Sequence, residues 1–171
     1  MKTSLCAACL GLSFLIGLHA QPQEKDIEVA ARTFKFVEGA PSGEALLGIV
    51  SDPAIAASSS QANALAAALE GGKTISGVTF VPKVIAPSEI SGVDVVFVTN
   101  GMGAHHEAIG AAVSSGQLLS FSTDKTCVTA KHCFMAVQSA PKVEITISRS
   151  ATEAAGLQLN QALKMMVDER D

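Results

Sequence analysis

Cys127 and Cys133 are separated by five residues, and His132 stands beside the second. Three chemistries fit those residue types. A disulfide would staple a loop, and closing so short a ring contributes roughly 2 kcal/mol on the loop-entropy account. An exposed or strained disulfide would instead open on reduction and act as a redox switch. Thiolate and imidazole are also zinc ligands, but adjacent ligands and a missing fourth make a poor tetrahedral set. In an oxidising compartment the structural staple is the leading expectation, and no metal is expected.

His105-His106-Glu107 opens a helix. Adjacent helical side chains diverge, so the two imidazoles do not converge on one ion. A solvated helix start is the expectation, with Glu107 favouring the positive end of the dipole. Gly101-Met102-Gly103 stands between a strand and that helix, where α/β folds hold anions. The third glycine of a dinucleotide fingerprint is replaced by His106, so a turn is expected and no cofactor. No nucleophile elbow occurs, and no catalytic residue is assigned. Phe34, Phe36 and Val37 crowd into four positions, more than one narrow helical face can bury. They are the candidate partner or dimer surface.

The elements that would position these groups follow from periodicity. Glu24 to Val37 reads as an amphipathic helix. Ala45–Val50 reads as a buried strand, and Asp52-Pro53 as the start of a helix towards Glu70 that Gly71-Gly72 ends. Val78–Ile85 is a strand with Pro82 at an edge or end. Pro87 to Ile90 is one helical turn. Asp94–Thr99 is a central parallel strand. A helix runs from Ala104 to Ser115, ended by Gly116, and a strand from Leu118 to Ser122. Asp124–His132 reads as a loop. Phe134–Gln138 and Val143–Ser148 form an antiparallel hairpin. A last helix starts at a Ser150/Glu153 capping box and buries Ala155, Leu159, Ala162, Leu163 and Met166. The expected class is α/β: a single layered domain with a mostly parallel sheet flanked by helices, plus a C-terminal β-hairpin and helix.

Composition bounds the rest. The chain has 171 residues, 48% hydrophobic and 16% charged, with net charge −4. That excludes a disordered chain and gives no basic cluster for nucleic acid. Met1-Lys2, an apolar run from Leu5 to Leu18 and Leu18-His19-Ala20 have the three-part layout of a signal peptide. Residues 1–20 are therefore the expected leader and residues 21–171 the mature domain. The apolar run is short of the roughly 20 residues that span a bilayer. The leader also removes Cys6 and Cys9.

Several strings, in order, resemble the YfiR-like family of periplasmic regulators. Arg32-Thr33-Phe34-Lys35-Phe36-Val37-Glu38 resembles that family's opening helix, with Gly39-Ala40 where the family has Trp-Pro. Leu47-Gly48-Ile49-Val50-Ser51-Asp52-Pro53 resembles its first strand and helix start, and Asp94–Thr99 its "vlFVs" strand. Val143–Ile147 with Ala154-Ala155-Gly156-Leu157-Gln158-Leu159 resembles its ending, with Ser148 where Asn is usual. The resemblance implies a periplasmic, non-enzymatic protein that represses an inner-membrane signalling partner, a diguanylate cyclase with a periplasmic domain, and can form a homodimer. The alternative is a secreted small-ligand binding protein resembling one lobe of a solute receptor, since the chain is short for a two-lobed clamp.

Overall fold

The computed structural model describes residues 24–170. The expected leader lies outside the described residues. The elements in chain order are α1 (Glu24–Phe34), β1 (Gly43–Val50), α2 (Ala56–Ala68), β2 (Lys73–Ile75), β3 (Val78–Ile85), β4 (Val95–Val98), α3 (His106–Gly116) and β5 (Leu119–Ser122). Then come α4 (Lys125–Thr129), β6 (Met135–Gln138), β7 (Glu144–Ser148), α5 (Arg149–Ala154), α6 (Gln161–Met166) and β8 (Asp168–Arg170). The strands form one sheet in the order β2-β3-β1-β4-β5-β6-β7-β8. From β3 to β6 all neighbours are parallel. β2 and β7 run antiparallel to their inner neighbours. The expected α/β class, mostly parallel sheet and C-terminal hairpin are all present.

Strand alternation divides the core into two layers. Leu47, Ile49, Val95 and Phe97 face α1 and α2. Val50, Val96 and Val98 face α3 and α4. Parallel strands buried on both faces need apolar residues at nearly every position, and VVFV supplies them. Phe121 joins the first layer together, with ring centroids 5.6 Å from Phe34 and 5.1 Å from Phe97, both edge-on.

That contact corrects the expected partner surface. Phe34 and Val37 are each only 4% exposed, and Phe36 is half-buried against the same cluster. The helix ends at Phe34, so the chain turns and the three side chains no longer compete for one helical face. They belong to the core.

Other differences have local causes. α2 begins at Ala56, because Asp52 Oδ1 accepts from Ala54 N at 2.8 Å and makes a turn ahead of the helix. The chain leaves α3 at Gln117, which is left-handed at φ 53°, while Gly116 stays helical. The Asp124–His132 loop contains α4, capped by Asp124 Oδ1 on Thr126 N at 2.9 Å. The expected last helix is two helices. Ser148, not Ser150, caps the first, and Asn160 caps the second. Between them Gly156 adopts φ 66°, a conformation costly for any residue with a Cβ. The freed stretch pairs with the exit of α1: Glu38 N donates to Gln158 O at 2.9 Å and Asn160 N to Phe36 O at 3.0 Å. β2 and β8 are short edge strands with no apolar alternation to announce them. β2 covers β3 only from Val78 to Phe80, so Pro82 falls on a stretch with one neighbour, as expected.

Candidate functional site

β1 leads through α2 to β3 on one side, and β3 leads back to β4 on the other side of β1. The chain thus leaves the carboxyl ends of β1 and β4 in opposite directions. In doubly wound sheets this divergence opens a crevice, and ligands bind there. The residues that follow each strand are polar: Ser51-Asp52 after β1, Thr99-Asn100 after β4, Thr123-Asp124 after β5.

A hydroxyl chain welds β1, α2 and β4 below the crevice. Thr99 Oγ1 donates to Val50 O at 2.7 Å. A hydroxyl has one proton, so Ser58 Oγ is the donor across its 2.6 Å contact with Thr99 Oγ1. Ser58 Oγ accepts from Asp52 N at 3.0 Å. Its other hydroxyl neighbour, Ser51 Oγ at 3.1 Å, must then donate to it. Ser58 is fully buried; the serine run does not interrupt α2 but points one hydroxyl inward.

An amide triangle sits beside it. Gln61 Oε1 accepts from Asn100 N at 2.6 Å, and Gln61 Nε2 donates to Thr123 Oγ1 at 3.0 Å. Thr123 Oγ1 donates to Asn100 Oδ1 at 3.0 Å. Three loops are thereby held at fixed spacing. Asn100 Nδ2 remains a donor for a bound molecule.

The polar face of the crevice is an acid–imidazole pair. His105 Nε2 lies 2.9 Å from Asp52 Oδ2. The Ala54 N–H first, and then His105, hold the Asp52 carboxyl below its ordinary pKa, with partial burial opposing them. Asp52 is therefore a carboxylate at neutral pH, half-exposed beside a half-exposed imidazole. His105 does sit at a helix start, as expected, but it is engaged rather than simply solvated. A separate narrow cleft of about 280 Å3 lies on the β3 side of β1, between Ser51, Pro53 and Asn63 and the end of β3 at Val84 and Ala86; Asp52, His105 and Asn100 do not line it.

The neighbouring wall carries the cysteines. Cys127 and Cys133 form a disulfide with Cα atoms 5.3 Å apart, both buried. The ring it closes presents His132 to α3, with its imidazole centroid 6.3 Å from that of His106. Gly110 makes room: a Cβ there would lie 2.7 Å from His132 Nδ1. His106 is 5% exposed. Burial is the main cause of its lowered pKa, and His132 and His105 add to it, while Asp124 opposes them. Among the described residues no group of three or more His, Cys, Asp or Glu could hold a metal ion.

Sequence reasoning named Cys127, Cys133, His105 and His106 and missed the working set of Ser58, Gln61, Thr99 and Asn100. The signal was the polar pair directly after each apolar parallel strand. It means little until the strand order places those pairs side by side.

No family model and no curated protein sequence matches the chain. Solved structures do. A conserved domain protein from Vibrio cholerae is similar at TM-score 0.61 and 13% identity, over 88% of this chain and 60% of that one. The ligand-free, open form of a substrate binding protein with adhesive properties from Clostridium difficile is similar at TM-score 0.63 and 12% identity, over 87% of this chain and 59% of that one. The ABC domain in complex with L-Trp from Streptococcus pneumonia is similar at TM-score 0.60 and 11% identity, over 87% and 62%. At these identities the likeness establishes the fold. The chain spans about three fifths of the length of these structures.

Proposed function

We propose that the chain is an extracytoplasmic binding domain that takes a small polar molecule at the carboxyl edge of its sheet and does no chemistry on it. The observation that carries this reading is the divergence of β1 and β4 above a locked polar floor. Such rigidity suits a site whose groups must be held before the ligand arrives. The likeness to substrate binding proteins supports the same choice. Asp52, His105 and the Asn100 amide would orient the ligand. An apolar part of the ligand would reach across the end of β1 into the adjacent cleft at Pro53, Val84 and Ala86. No aromatic ring lines this cleft, so recognition would rest on hydrogen bonds and not on stacking.

A repressor of a membrane cyclase gains nothing from these residues. The apolar cluster it would have offered to a partner is inside the core. No described helix is long and apolar enough to cross a membrane.

The test is a thermal-shift screen of amino acids, short peptides, sugars and small carboxylates, repeated on Asp52→Asn and Asn100→Ala. A ligand at one hundred times its Kd stabilises the fold by about 2.7 kcal/mol. The expected result is a rise in Tm for one chemical class that both variants diminish. A rise that neither variant changes would place binding elsewhere and end this reading.

A further inference from the structure

All three histidines among the described residues, His105, His106 and His132, stand together at the carboxyl edge. His106 opens α3 and is buried. It faces His132, on the turn between α4 and β6, and neither ring has a hydrogen-bond partner among the described residues. His132 is seated against α3 because Gly110 has no side chain: a Cβ there would meet its Nδ1 at 2.7 Å and its Cα at 3.1 Å. The turn is held by short-range bonds, Lys131 N to Val128 O at 2.9 Å and His132 N to Cys127 O at 3.0 Å. Lys131 is left-handed at φ 65°, a conformation unfavourable for a residue with a Cβ. The closed turn therefore carries backbone strain that opening would release.

We propose that the His106–His132 contact is a pH-operated latch: in mildly acid surroundings His106 takes up a proton, His132 leaves Gly110, and the α4 wall of the crevice loosens. A buried imidazolium has lost its hydration and faces a second basic ring. Opening the turn returns both to water. The charged groups acting on His106 come from three sides. His132 on the turn after α4 and His105 ahead of α3 oppose its charge, and Asp124 at the start of α4 favours it. His105 is itself paired with Asp52 at the exit of β1. Burial outweighs the attraction of Asp124, whose Oδ1 is already the cap of α4. The link to the crevice runs along the chain. Asp124 follows Thr123, whose hydroxyl joins Gln61 to Asn100. A protonated His106 draws Asp124 off its cap and so pulls on Thr123. Release of a ligand by the loosened crevice rests on the proposed function; the latch itself does not.

NMR hydrogen exchange of the full chain without ligand tests the latch, read as protection factors between about pH 7.5 and about pH 5.5. An opening that takes up one proton grows by up to about tenfold per pH unit. Protection of the Lys131 and His132 amides should fall accordingly, and that of the Asn100 amide, held by Gln61, with it. At every pH the two turn amides should exchange faster than Val96 and Val98 of β4, which are fully buried and open only with the whole fold. His106→Gln should remove the pH dependence of the turn. Gly110→Ala improves the helix but leaves no room for His132, so it should hold the turn open at neutral pH as well. Four results would overturn the latch: protection that ignores pH, a pH dependence that survives His106→Gln, a turn still protected in Gly110→Ala, or turn amides as slow as those of β4. An Asn100 amide insensitive to pH would overturn its reach to the crevice. No ligand enters the experiment, so its failure is distinct from failure of the ligand screen.

Discussion

The two ends of the sheet solve different problems with similar residue counts. At the carboxyl edge almost every polar atom is committed to another part of the chain: Ser58 to two segments, Gln61 to two loops, Asp52 to a backbone N–H and an imidazole. At the amino edge Glu38 and Glu44 point outward and the cleft floor is apolar. One edge is rigid and pre-oriented. The other is an open, charged bowl. Polar residues therefore mean stability at the first edge and solvent-facing charge at the second, although composition alone ranks them alike.

This contrast predicts unequal costs of mutation. Ser58→Val should be the most damaging, about 2–3 kcal/mol by chemical denaturation, because it strands the Asp52 N–H and overfills a closed site. A smaller loss would show that water enters and repairs the network. Removing the disulfide by Cys127→Ser and Cys133→Ser should lower stability by about 2 kcal/mol. The same variant should loosen hydrogen-exchange protection in α4 and leave β1 protected, since the ring constrains only its own wall of the crevice.

A pH series resolves two groups of the carboxyl edge, His106 after β4 and Glu144 opposite the end of β6. Burial holds His106 neutral by lowering its pKa from 6.5. The unfolded chain binds that proton more readily than the folded one, so stability is full above the ordinary histidine pKa and falls as pH drops through that value towards the lowered one. His106→Gln should flatten this part of the Tm–pH curve. A curve unchanged by the substitution would assign the acid sensitivity elsewhere. Glu144 sits at the β6–β7 hairpin and acts with the same sign in a more acid window. Lys125 and then Lys142 pull its pKa from 4.5 to about 2, so its contribution is full above 4.5 and is lost progressively as pH falls towards about 2. The smallest effect should come from Glu38→Gln with Glu44→Gln, within about 0.5 kcal/mol of the parent. A larger loss would mean that the amino edge, too, is held by its charges.

Legibility followed the range of the interactions involved. The apolar runs at Ala45–Val50 and Asp94–Thr99 announced β1 and β4 because burial on both faces demands such runs. The Cys127–Cys133 pairing was legible because a short ring in an oxidising compartment has few other uses. The final helix misled, because its apolar spacing is helical on both sides of a break. Gly156 makes that break in a left-handed turn, and the stretch after it pairs with residues more than a hundred positions away. Phe34 and Val37 misled for the same reason: whether crowded apolar side chains face a partner or the core depends on where the helix ends.

By itself, then, the sequence determined the class of the fold, the central strands and the disulfide, since each rests on local periodicity or on two reactive groups close in the chain. Tertiary structure alone decided the site. Ser58 and Thr99 are 41 positions apart, and Gln61 and Thr123 are 62 apart. No local preference encodes such contacts. They exist because β1 and β4 lie side by side while their chains leave in opposite directions, and that order is fixed by packing the two apolar layers against one sheet.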